Sequence, residues 1–135
     1  MAGFISEYLS HKLLDHVWSA TTYTPPATLY CALFTAAPTA SGGGTEVSGG
    51  SYARVGVTNN GTNFGAAASE IKRNATAITF PSPTANWGTV IGAAWYDASS
   101  GGNLLGYGPF GTSRTVLNGD TAPSIQINGG TFTFE

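Results

Sequence analysis

The chain has 135 residues, of which 19 are glycine and only 9% are charged, five basic and seven acidic. Five basic residues with one adjacent pair, Lys72 and Arg73, cannot neutralise a phosphate track, which argues against nucleic-acid binding, and a lone cysteine excludes an internal disulfide scaffold. With 41% hydrophobic and 12% aromatic residues the chain is not disordered, and residues 1–135 are expected to form one packed domain.

Soluble domains carry about 25% charged residues. A surface so poor in charge lacks the like-charge repulsion that keeps monomers apart. That suits a subunit of a repeating assembly, where every charge recurs at each copy, or a glycan-facing module.

Residues 4–18 carry a helical period. Ile5, Leu9, Leu13 and Val17 recur at i+4 and are expected to face the domain's own core, while Leu14 and Trp18, with Phe4 and Tyr8, lie on another side among Glu7, His11 and Asp15. Two apolar sides on one helix suggest two packing partners, so Leu14, Trp18, Phe4 and Tyr8 are the candidate interface residues of an N-terminal docking helix. The same acidic and basic residues break the apolar run that a signal peptide needs, and no stretch nears the ~18 apolar residues of a membrane span. Synthesis in a cytosol, without membrane insertion, is expected.

Pro25 and Pro26 forbid continued helix. Residues 28–35, TLYCALFT, are apolar on both alternating faces, as in a strand buried between two layers. Further strands are expected at 52–58, 75–80, 89–96, 104–110, 115–117, 124–127 and 131–134. Asn118-Gly119 and Asn128-Gly129 are hairpin-turn signals, and Ser100-Gly101-Gly102-Asn103 joins two strong strands. The fold class is therefore mainly β, an antiparallel β-sandwich or jelly-roll-like barrel with one N-terminal α-helix. The Gly- and Ser-rich stretches 40–51 and 61–69 are expected as soft surface loops, the first a candidate for ordering by a partner.

No chemistry emerges from the polar residues. There is no G-x-S-x-G elbow, and Cys31 sits mid-strand as a small core residue. His11 and His16, five apart on a helix and about 140° away from each other, cannot share a metal as an i, i+4 pair would. Asp97 and Asp120 could form a carboxylate pair, yet both adjoin turn residues, which is the favoured account of them. No catalytic, cofactor-binding or metal-ligating residue is assigned, and no cofactor is expected. The Asn-x-Thr triplets at Asn60 and Asn74 have no meaning without a secretory route. Trp87 can be read as a glycan-stacking ring or as a plug closing one end of the sandwich, and the plug is favoured.

Four strings carry a resemblance: LLDHVWSATTYTPPATLYCALFTAAPT, GGTEVSGGSYARVGVTNN, AITFPSPTANWGTV and YDASSGGNLLGYGPF. In order and spacing the chain resembles the short bacteriophage virion structural proteins labelled tail fibre proteins. The resemblance implies a non-enzymatic structural component located in the virion, with no catalytic residues to carry over. The chain lacks the repetitive stalk or collagen-like tract of a fibre shaft.

Taken with the composition, this points to a building block that self-associates as a homo-oligomer, a trimer or higher, and docks to other virion proteins in a tail fibre or baseplate setting. Two alternatives stay open: a capsid cement or decoration protein, and a carbohydrate-binding module that uses Trp87 on a host surface glycan.

Overall fold

A computed structural model describes residues 2–69, 71–129 and 131–133. Strand β1 (Ala2–Ile5) leads into helix α1 (Glu7–Trp18). There follow β2 (Thr28–Ala36), β3 (Thr45–Glu46), β4 (Val55–Thr58), β5 (Ile71–Arg73) and β6 (Ile78–Thr79). The remaining strands are β7 (Gly88–Tyr96), β8 (Leu104–Val116), β9 (Ser124–Ile125) and β10 (Thr131–Thr133). The architecture is mainly β, antiparallel and sandwich-like with one helix near the N-terminus, as the turn signals and alternation foretell.

An eight-stranded sheet runs in the order β3, β2, β7, β8, β1, β10, β5, with β4 also paired to β2. A two-stranded sheet of β6 and β9 forms the smaller element. The centre of the large sheet is the β7–β8 hairpin, joined through Ser100–Asn103 as anticipated, with β2 antiparallel beside β7. Asp97 closes that hairpin: its carboxylate accepts from the Asn103 backbone N–H at 2.7 Å and from the Asn103 side-chain amide at 2.8 Å.

Both faces of β2 are used. Cys31 and Leu33 enter the main core with Val47, Phe64, Ile78, Phe80, Trp87, Val90, Trp95 and Val116. Ala32 and Phe34 bury on the opposite face with Ala94, Tyr96 and Leu104. Rings in the main core meet edge to face, Phe64 on Trp95 and Tyr52 on Trp87, each at 5.4 Å between centroids, an arrangement that adds to simple area burial.

Several expectations need correction. The helix begins at Glu7, not at residue 4, because Ser6 is its N-cap, with extended backbone and a side-chain oxygen that accepts from the Leu9 N–H at 3.1 Å. Phe4 and Ile5 are thereby released into β1, which lies between β8 and β10 and pairs parallel to β10, the one parallel pair among the described residues. The strands expected at 104–110 and 115–117 are one strand, β8, in which residues 110–113 bulge out opposite Ile91 of β7.

The strands expected at 52–58, 75–80 and 124–127 shorten to β4, β6 and β9, and neither β3, inside the stretch expected as a loop, nor β5 was foreseen. The end of the strand expected at 131–134 lies outside the described residues. The two Asn-Gly pairs make tight turns but not hairpins: β9 pairs with β6, and β10 with β1 and β5. In each case the turn redirects the chain toward a strand distant in sequence.

The stretch 40–51 is held by the chain's own contacts. The Ala40 carbonyl accepts from the Glu7 N–H at 2.9 Å, Thr39 and Gly42 exchange backbone hydrogen bonds, and Gly50 accepts from the Trp87 indole. Glycine is needed at Gly44, whose φ is +77° and where a Cβ would stand 2.7 Å from the Ala36 carbonyl oxygen. The second soft stretch is tied too: the Asn60 side chain accepts from the N–H groups of Thr62 and Asn63.

Candidate interaction surface

The helix is fixed at its start and free at its end. Ser6 is fully buried, and its N–H donates to the Leu105 carbonyl at 2.9 Å while its hydroxyl donates to the Leu104 carbonyl. Glu7, in the first turn, sits where the helix dipole favours an acid. Tyr8 and Leu9 pack against the main core, and the Lys12 ammonium lies 5.7 Å from the Tyr8 ring centroid. No residue of α1 is fully buried, and beyond the second turn the side chains point away from the sheet. At the C-terminal end the Asp15 carbonyl accepts from the Ser19 and Thr21 N–H groups, and His16 Nδ1 accepts from the Tyr23 N–H at 3.2 Å, turning the chain back.

The expected interface residues are therefore separated. Leu14 and Trp18 stand out at 49% and 77% exposure. Tyr8 is half-buried in the domain's own packing. Phe4 is on β1, partly exposed, with its ring 5.8 Å from that of Tyr107 on the second face of the sheet. It is not on the helix, because the cap at Ser6 ends the helical period before it.

Val17 was expected to face the core and does not. It is 64% exposed, and it joins Leu14 and Trp18 at i, i+3 and i+4 in one apolar patch at the helix tip. The full i+4 stripe is legible in the sequence, but only its first half has a sheet beneath it.

Trp87 is 5% exposed, stacks edge-on against Tyr52 and donates its indole N–H to the Gly50 carbonyl at 3.0 Å. It is the plug. The glycan contact considered for Trp87 has no open ring face on which a sugar could stack.

The polar candidates are committed elsewhere. Asp97 closes the β7–β8 hairpin, and the Asp120 carboxylate accepts from the Leu117 N–H at 2.8 Å, so each serves its own turn. Asn74 is buried, and its side-chain amide donates to the carbonyls of Thr76 and Gln126, each at 2.9 Å. Burial pushes the Cys31 thiol well above its ordinary range, which leaves it protonated and inert. No group of three or more metal-ligating side chains occurs among the described residues.

One constellation escaped the sequence altogether. The Arg54 guanidinium binds the Glu46 carboxylate with two nitrogens, Nε to Oε1 at 2.9 Å and Nη2 to Oε2 at 2.8 Å. Its Nη1 donates to the carbonyls of Ala98 and Gly101, each at 2.9 Å, and its plane lies 3.8 Å from the Tyr96 ring centroid. Tyr52 completes the cluster: its hydroxyl donates to Glu46 at 2.9 Å and accepts from the Leu33 N–H at 2.9 Å. The hydrogen bonds that the guanidinium donates to Glu46 hold it in its charged form and raise its pKa further. The cluster roofs the second face of the sheet and ties the glycine-rich stretch to the β7–β8 hairpin. It supports the fold.

Residues 4–133 match the family described as Podophage GP4 fiber I protein gp80. The chain belongs to this family. The match takes in the helix and nearly all of the strands of this chain. It is a family of phage fibre structural proteins, in agreement with the resemblance carried by the sequence strings. No curated protein matches the sequence. Among the described residues no helix is long and apolar enough to cross a membrane.

Proposed function

We propose that this fibre protein is a non-enzymatic structural subunit of the phage particle that associates with copies of itself and docks to neighbouring virion proteins through the tip of α1. The observation that carries this is the patch of Leu14, Val17 and Trp18, 49%, 64% and 77% exposed on a helix whose base is tied to the sheet by Ser6. A monomeric protein gains nothing from holding a tryptophan in water at the end of a rigid helix. Such a ring contributes when a partner covers it, because buried aromatic anchors dominate interface energies. A surface with few charges offers little repulsion to close approach. The engagement of Asp97 and Asp120 in turns supports a role without catalysis, and the burial of Trp87 weakens the carbohydrate-binding alternative.

The test is incorporation. Particles assembled with a Trp18→Ala subunit should contain much less of this protein, while the isolated variant keeps the far-ultraviolet circular dichroism and melting temperature of the parent. Equal loss of folding would assign Trp18 to the stability of the domain. Undiminished incorporation would remove the helix tip from assembly.

A further inference from the structure

Beneath the first turn of α1 lies an apolar groove of about 270 Å³, formed where the chain returns from the helix tip to β2. Its walls include Ile5, Leu9, Pro26, Leu29 and Trp95, and Lys72 also lines it. Nearly all of its lining is apolar, and the lysine is the cation it offers.

The same chain carries a group shaped to fill such a groove. Trp18 is the exposed one of three tryptophans, since Trp87 and Trp95 are 5% and 3% exposed. Asp15 precedes it by three residues and so stands on the same side of the helix. The charges are complementary: an acidic residue beside the knob and a basic one lining the groove. Among the described residues the one ion pair is Arg54–Glu46, so neither Asp15 nor Lys72 is neutralised within its own chain.

A chain cannot make this contact with itself. Leu9, in the groove wall, and Trp18 are nine helical steps apart, which sets them about 14 Å apart along the helix axis.

We infer that the groove of one copy receives Trp18 of a second copy, with Asp15 of the incoming helix set against Lys72 of the groove. The inference rests on the self-association proposed above and names its surfaces. The contact is head to tail: every copy presents one knob and one groove, and a constant rotation between copies gives a ring where it closes and an open filament where it does not. The scarcity of other charges on the surface lets this single pair set the register.

Sedimentation equilibrium on the full chain tests it, with Trp18→Ala, Asp15→Lys, Lys72→Glu and the double variant Asp15→Lys/Lys72→Glu, each checked for parental circular dichroism. Asp15 is fully on the surface, so Asp15→Lys reads the contact even if Lys72→Glu disturbs its strand. The expected result is association of the parent, weakened about thirtyfold or more by Trp18→Ala. Each single charge reversal should weaken it about fivefold, and the double reversal should bring it back to near the parental constant.

A parent that associates with no response to Trp18→Ala, or a double reversal no better than the single ones, overturns the inference and leaves self-association to another surface. A parent that stays monomeric at all concentrations overturns the self-association itself, and this contact with it. In that case dependence of particle incorporation on Trp18 would give the patch to a different virion protein.

Discussion

The indole N–H of Trp87 donates to the carbonyl of Gly50, and Gly50 adopts φ +54° to bring that carbonyl there. A Cβ on residue 50 would stand 2.9 Å from the Trp87 nitrogen and 2.9 Å from the Ala85 N–H nitrogen. The plug and the glycine-rich stretch are therefore one structural unit. Gly50→Ala should cost about 2 kcal/mol through left-handed strain and crowding together, and Trp87→Ala about 3–5 kcal/mol through the cavity it leaves. Urea unfolding of each variant measures this, and a Gly50→Ala protein as stable as the parent would show that the stretch shifts freely away from the ring.

Removing Arg54 strips one carboxylate, two carbonyls and one ring of their partner at once. Arg54→Ala should destabilise the domain by about 2–3 kcal/mol, the range for losing hydrogen bonds to a largely buried charge. Arg54→Lys should recover little of it, because an ammonium cannot serve a bidentate carboxylate, two carbonyls and an aromatic face from one position. Thermal unfolding of the pair of variants separates the fork geometry from the charge.

Cys31, Tyr52 and Tyr96 all have pKa values raised above their ordinary values of 9.0 for the thiol and 10.0 for the phenols, in each case chiefly by burial. The folded chain thus keeps protons that the unfolded chain releases at alkaline pH. The sign follows: stability is complete below about pH 8.5 and falls as pH rises through the unfolded values of the thiol and then the phenols. Unfolding free energies measured from pH 7 to 11 should decline on that limb, and Tyr52→Phe should flatten its upper part while losing the hydrogen bonds to Glu46 and Leu33.

The two ends of α1 should respond to substitution in opposite ways. Ser6→Ala removes a cap and a buried donor together, and should lower stability by about 1–2 kcal/mol and speed hydrogen exchange at the Leu9 N–H. At concentrations where the parent is monomeric, Leu14→Ser or Trp18→Ala should change stability by no more than about 0.5 kcal/mol, because neither side chain is buried by its own domain. A large loss at Trp18 would mean that the helix tip folds back on the sheet in solution.

How much of this was legible in the sequence depends on distance along the chain. The two-faced apolar run of β2, the β7–β8 hairpin and its Ser-Gly-Gly-Asn connection are local patterns, and they read correctly. So does the existence of α1, though its start was misplaced because Ser6 followed by Glu7 is a capping signal that the apolar period at Phe4 and Ile5 overrode. The insertion of β1 between β8 and β10, and the pairing of β10 with β5, join residues about 60 or more apart and leave no local period.

The candidate site follows the same rule. Leu14 and Trp18 stand out from the helical pattern alone, but whether Val17 faces core or water depends on where the sheet ends beneath the helix. The Glu46–Arg54 cluster takes its partners from Tyr52, from Leu33 of β2 through Tyr52, and from Tyr96, Ala98 and Gly101 at the β7–β8 turn, so neither residue is distinguished by its neighbours in sequence.

The central claim is that the tip of α1 is covered when the particle assembles. Because Trp87 and Trp95 are buried in the free chain, collisional quenching of tryptophan fluorescence by acrylamide reports mainly on Trp18. Quenching should fall sharply, with a blue shift of the emission, when the free chain, diluted until it is monomeric, is compared with the same chain in assembled particles whose other proteins are matched in a Trp18→Phe control. Quenching that is the same in both states would show Trp18 still in water after assembly, and would contradict the account.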